Sequence, residues 1–68
     1  MLALSDNIRH YRQLAQITQS QLAETVGVDQ SAICKLEKGM FVPTVVLVAE
    51  ISLALGVSID ELVNGGGK

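Results

Sequence analysis

Five residues between positions 30 and 38 carry polar or soft side chains at helical spacing: Gln30, Ser31, Cys34, Lys35 and Lys38. At 100° per residue they share one face of a helix whose opposite face carries Ile33 and Leu36. Such a strip sets amide, hydroxyl and ammonium groups side by side, chemistry suited to recognising a polar surface. Taken alone, it reads as a solvated helix face. His10 and Cys34 are the candidates for covalent or metal chemistry. A cysteine nucleophile needs a base and an orienting group within hydrogen-bond reach. These two residues fall in different segments, with no third residue placed to orient them. His10 reads as an exposed helix residue and Cys34 as a small side chain, so no enzyme is expected. One cysteine cannot form an internal disulfide, and no Cys/His spacing marks a zinc site. Neither a metal nor a cofactor is expected, and the Gly65-Gly66-Gly67 run precedes no helix, so it is no phosphate loop.

The elements that would carry these residues are helices. Glycine and proline occur only at Gly27, Gly39, Pro43, Gly56 and the Gly65–Gly67 tail, and the segments between show helical rather than strand periodicity. Thr18-Gln19-Ser20-Gln21 and Ser58-Ile59-Asp60-Glu61 are capping boxes. Asp29 and Thr44 stand where N-caps are wanted. Gly27, Gly39 and Gly56 follow apolar-periodic runs, where a left-handed residue closes a helix. The spacing predicts helices near 5–15, 19–26, 30–38, 44–55 and 59–64, an all-α domain over residues 1–64 with a Gly-rich tail at 65–68.

Sixty-eight residues make one small domain with a single core. Five Lys and Arg against seven Asp and Glu give a net charge of −2 and a pI near 5.0. A nucleic-acid binder is usually basic, so the total argues against that class. The distribution does not: residues 1–42 balance Arg9, Arg12, Lys35 and Lys38 against Asp6, Glu24, Asp29 and Glu37. The excess acid lies beyond, at Glu50, Asp60 and Glu61 against Lys68. Two aromatic residues, Tyr11 and Phe41, are too few for a single-strand stacking platform. No apolar run of about 18 residues marks a membrane span, and no signal peptide is evident, so the expected location is cytoplasmic.

The most specific feature is the pair of short helices joined by Gly27-Val28-Asp29. A short glycine-containing link forces a steep crossing. Ala23 must then be small, while Leu22, Val26, Val28, Ile33 and Leu36 fill the wedge. Gln19, Ala23, Gly27, Ile33 and Leu36 recur at spacings of four, four, six and three. Residues 18–39 resemble the phage-repressor/Cro (XRE-type) helix-turn-helix family, and the resemblance extends through Ile8-Arg9 and Arg12 to Ala54–Leu62. It implies a five-helix lambda-repressor-like domain, with the helix-turn-helix at helices 2 and 3, that binds double-stranded DNA.

The resemblance also implies residue roles. The outer face of the second helix enters the major groove, so Gln30, Ser31, Cys34 and Lys35 are the expected base contacts. Gln30 suits adenine N6/N7, Lys35 guanine O6/N7, and Cys34 a thymine methyl. Thr18, Gln19, Ser20, Lys38, Gly39 and Met40 are the expected phosphate contacts, Gln19 also bracing Gln30, and Gly39 and Met40 acting through backbone N–H groups. Arg12 and Glu37 match the positions of a partly buried structural ion pair. Where relatives often carry a basic loop, this chain has Met40-Phe41-Val42. The fourth helix is apolar on more than one face. Val45, Val48, Ile51, Ser52 and Leu55 form an inner stripe, which leaves Val46, Leu47 and Leu53 over. With Ile59, Leu62 and Val63 these are the expected homodimer surface. The expected function is a repressor or autoregulator working as a homodimer on a pseudo-palindromic operator. The alternative is a protein-interaction module that binds a protein partner through helices 4 and 5, keeping the helix-turn-helix as scaffold.

Overall fold

Five helices account for most of the computed structural model, which describes residues 4–64: α1 (Leu4–Leu14), α2 (Gln19–Val26), α3 (Gln30–Glu37), α4 (Val45–Leu55) and α5 (Ile59–Asn64). The expected tail, 65–68, lies outside the described residues. Helices this short are marginal in isolation, so packing and caps must hold them.

The capping devices are where the sequence places them, with one exception. Thr18 Oγ1 accepts from the Gln21 N–H at 3.0 Å, and Gln21 Oε1 accepts from the Thr18 N–H at 2.8 Å. Ser58 and Glu61 repeat the exchange at α5, at 3.0 and 2.9 Å. Thr44 Oγ1 accepts from the Leu47 N–H at 3.1 Å. Asp29 departs from expectation. Its backbone is extended, as an N-cap requires, yet its carboxylate makes no capping bond to α3.

One C-terminal device ends four of the helices. At α2, Gly27 adopts φ +79° and the Val28 N–H returns to the Ala23 carbonyl at 2.9 Å. This is the Schellman arrangement, which needs a left-handed residue at the turn. It recurs at Gly39–Met40 and at Gly56–Val57. At α1 the left-handed position is held by Gln16, φ +61°, with the Ile17 N–H on the Arg12 carbonyl at 3.3 Å. A glutamine there gives no sequence signal, so nothing but the tertiary structure reveals this fourth instance.

The core gathers Ile8, Leu22, Ala23, Val26, Ile33, Leu36, Val48, Ile51, Leu55 and Leu62 from all five helices. α2 packs against α3 and α4, while α1 packs against α3 and α5. Buried Asn7 joins α1 to α5 by donating Nδ2–H to the Leu62 carbonyl at 2.7 Å. Two apolar assignments change. Leu62, expected on the dimer surface, is fully buried. α5 is a single short helix, and Leu62 is its one core-facing residue. Val45, expected in the inner stripe, is 81% exposed, because the buried stripe of α4 begins one turn later at Val48. No helix among the described residues is long and apolar enough to cross a membrane.

Candidate nucleic-acid interface

The polar strip on α3 is presented to solvent. Ile33 and Leu36 are buried, while Gln30, Ser31, Lys35 and Lys38 are exposed and Cys34 is partly buried. None of these five side chains makes a hydrogen bond or ion pair within the protein among the described residues. Their donors and acceptors are therefore free for an external partner. A strip committed to the fold would show the opposite.

The other edge of the surface is the start of α2. An α-helix leaves its first four N–H groups without intrahelical acceptors. Here the capping box uses those of Thr18 and Gln21. The N–H groups of Gln19 and Ser20 have no acceptor among the described residues, and they lie at the positive end of the helix dipole. The Thr18 hydroxyl, an acceptor in the cap, keeps its own proton to donate.

A charged cluster fixes α2 against its neighbours. Arg12 Nε and Nη2 donate to Glu37 Oε2 and Oε1 at 2.6 and 3.1 Å, and Arg12 Nη1 donates to the Ile17 carbonyl at 2.8 Å. The two side chains are 11% and 2% exposed. This geometry spends the arginine inside the domain and withdraws it from any phosphate. Gln19 Nε2 donates to Glu37 Oε1 at 3.1 Å. The brace expected between Gln19 and Gln30 is thus replaced by one between Gln19 and Glu37. The buried carboxylate is the stronger acceptor, since charge-assisted hydrogen bonds exceed neutral ones.

Gly39 and Met40 also require correction. Their N–H groups donate to the Leu36 and Lys35 carbonyls at 3.1 and 2.9 Å, closing α3. They are not free to hold a phosphate. The first backbone N–H groups past this closure without a backbone acceptor among the described residues are those of Phe41 and Val42. Of the remaining cations, Arg9 lies 3.5 Å from Asp6, which leaves Lys35 and Lys38 beside the strip. His10 contacts the Tyr11 ring edge-on at a centroid distance of 5.2 Å, on a different helix from Cys34.

On α4 and α5, Val46, Leu53, Ile59 and Val63 are exposed. Val46 and Leu53 are two turns apart on one face of α4. Leu47 is half-buried and packs against the core, so it belongs to the exposed surface only in part. Val42 and Val45 extend the apolar area towards the α3–α4 loop.

Comparison with known proteins gives this surface a context. A family model described as helix-turn-helix matches residues 8–62. An HTH-type transcriptional regulator of Methanocaldococcus jannaschii is 32% identical over 59 residues, spanning 87% of this chain and 89% of that one. The cryptic phage CTXphi transcriptional repressor RstR of Vibrio cholerae is 31% identical over 61 residues, 90% of this chain and 54% of RstR. Among solved structures, the P22 c2 repressor protein in complex with a synthetic operator superposes with a TM-score of 0.88. The sequences are 31% identical, and the match covers 96% of this chain and 98% of that one. The five helices, their order and the α2–Gly27–α3 turn are those of a phage-repressor domain, and the chain belongs to the helix-turn-helix family.

Proposed function

We propose that this protein is a sequence-specific transcriptional regulator of the repressor or autoregulator kind, binding double-stranded DNA as a homodimer on a pseudo-palindromic operator. The observation that carries the reading is the uncommitted polar strip of α3, in a chain that shares the fold of an operator-bound repressor. The major groove admits an α-helix, so the exposed face of α3 can meet base edges there. Gln30 pairs with adenine, Lys35 with guanine, Ser31 with either, and the Cys34 thiol meets a thymine methyl. Thr18, Gln19 and Ser20 hold a phosphate at the start of α2. Lys38 and the N–H groups of Phe41 and Val42 hold a second one.

Size supports the dimer. The longest dimension of the domain is 29 Å. Successive major-groove faces lie about 34 Å apart, so reading two of them takes two copies. The exposed Val46, Leu53, Ile59 and Val63 supply an apolar face of the kind two copies would cover. The same face, beside the acidic Glu50, Asp60 and Glu61, favours one further reading, a protein partner docked on α4 and α5.

Selection from a random-sequence duplex pool, repeated at low and moderate salt, separates the two. Recovery of a two-fold symmetric site supports the regulator. Gln30→Ala and Lys35→Ala should then each cost about 1–3 kcal/mol and relax preference at one position, whereas Lys38→Ala weakens all sequences alike. Absence of any binding at about 50 mM salt would instead favour the protein-interaction reading.

A further inference from the structure

Glu37 is the last residue of α3, yet its carboxylate is reached from two other helices. Oε2 takes one bond from Arg12, and Oε1 takes a second from Arg12 and one from Gln19. The residue is 4% exposed, so the carboxylate has little room to reorient. Gln19 is only half-buried and opens α2, next to the acceptor-free N–H groups of Gln19 and Ser20.

A free glutamine amide presents its oxygen or its nitrogen to an approaching group with little preference. Against an anion the two differ in sign: the N–H end attracts and the oxygen repels. Glu37 accepts only, so it draws the amino end of Gln19 towards itself and leaves one N–H on that nitrogen uncommitted. Arg12 neutralises the carboxylate through two bonds, so Glu37 does not oppose a nearby phosphate. Arg12 also ties the Ile17 carbonyl, which fixes the turn entering α2.

We propose that Glu37 is a positioning residue for DNA binding: by holding Gln19 Nε2 it orients the second N–H of that nitrogen for a backbone phosphate at the start of α2. The proposal rests on the reading of Gln19 as a phosphate contact. Glu37 itself touches no DNA and acts through Gln19.

A double-mutant cycle tests this on the intact chain. Wild type, Gln19→Ala, Glu37→Gln and the double variant are titrated against a fluorescein-labelled random-sequence duplex at about 50 mM salt, each variant first checked for helical circular dichroism. Gln19→Ala should weaken binding about tenfold, Glu37→Gln by a similar factor, and the double variant no further than either. Losses that multiply overturn the positioning role while leaving the Gln19 contact intact. Unchanged affinity for Gln19→Ala overturns the contact and the proposal together. Should Glu37→Gln not fold, nitrogen relaxation of the Gln19 side-chain amide in the free wild type decides the matter. The proposal requires order comparable to the backbone, and a freely moving amide overturns it.

Discussion

Arg12 and Ile17 hold each other twice. The Ile17 N–H donates to the Arg12 carbonyl at 3.3 Å, and Arg12 Nη1 donates to the Ile17 carbonyl at 2.8 Å. The turn between α1 and α2 is therefore closed by backbone and side chain of the same arginine, whose other donors grip Glu37 at the end of α3. One residue thus sets where α2 begins relative to α3.

Arg12→Ala should be the most damaging single change on this surface. It leaves the Glu37 carboxylate buried without its charge partner, a loss of about 3–5 kcal/mol. A domain of this length has about 3–10 kcal/mol in total, so the variant should lose a large fraction of its stability. Urea titration followed by circular dichroism measures this. A loss below about 1 kcal/mol would mean that the pair is not the fastener described.

Gln16→Gly should stabilise the protein. Gln16 sits at φ +61°, where a Cβ costs about 1–2 kcal/mol and glycine costs nothing sterically. Part of the gain is offset because glycine loosens the unfolded chain, leaving about 0.5–1 kcal/mol. That corresponds to a rise in Tm of about 3–6 °C. The neighbouring substitution Ala15→Gly should lower Tm, since Ala15 has no positive φ to relieve.

Asn7→Ala should release α5 before the rest of the domain. The substitution removes the buried donor of the Leu62 carbonyl, at a cost of about 1–3 kcal/mol. Amide exchange in α5 should accelerate more than in α2 or α3. In Asn7→Asp only the protonated acid can donate to that carbonyl, so folding raises its pKa. The variant should be more stable below about pH 4 than at neutral pH, losing that stability as the pH rises through the raised value.

DNA affinity should depend weakly on salt. Arg12 is spent on Glu37 and Arg9 lies beside Asp6, which leaves Lys35 and Lys38 as the free cations near the α3 strip. Two per subunit give a dimer about four cationic contacts and a log–log slope of about −3 to −4. A slope steeper than about −7 would show that cations elsewhere carry the binding.

Much of this protein is legible locally. The bounds of all five helices fall within a residue of those read from caps and glycines, because a capping box or a left-handed glycine is decided by neighbours in the chain. The polar strip of α3 is equally legible, since helical periodicity alone separates Gln30, Ser31 and Lys35 from Ile33 and Leu36. Its meaning comes from the spacing of Gln19, Ala23, Gly27, Ile33 and Leu36, which carries the family resemblance.

What escaped the sequence depends on distant partners. Leu62 and Val63 are both apolar residues of one short helix, yet Leu62 is buried and Val63 is not, a choice made by where α1 lies. Gly39 and Met40 have suitable backbone groups for a phosphate, but closure of α3 consumes them. Gln19 stands 18 positions from Glu37, and the bond between them exists only once α2 and α3 are packed. The sequence by itself determined the helices, the turn and the polar face of α3, because those follow from short-range sterics and periodicity. Tertiary structure alone decided which polar groups remain free, because a donor is available only after every partner within reach in the folded chain has taken its share.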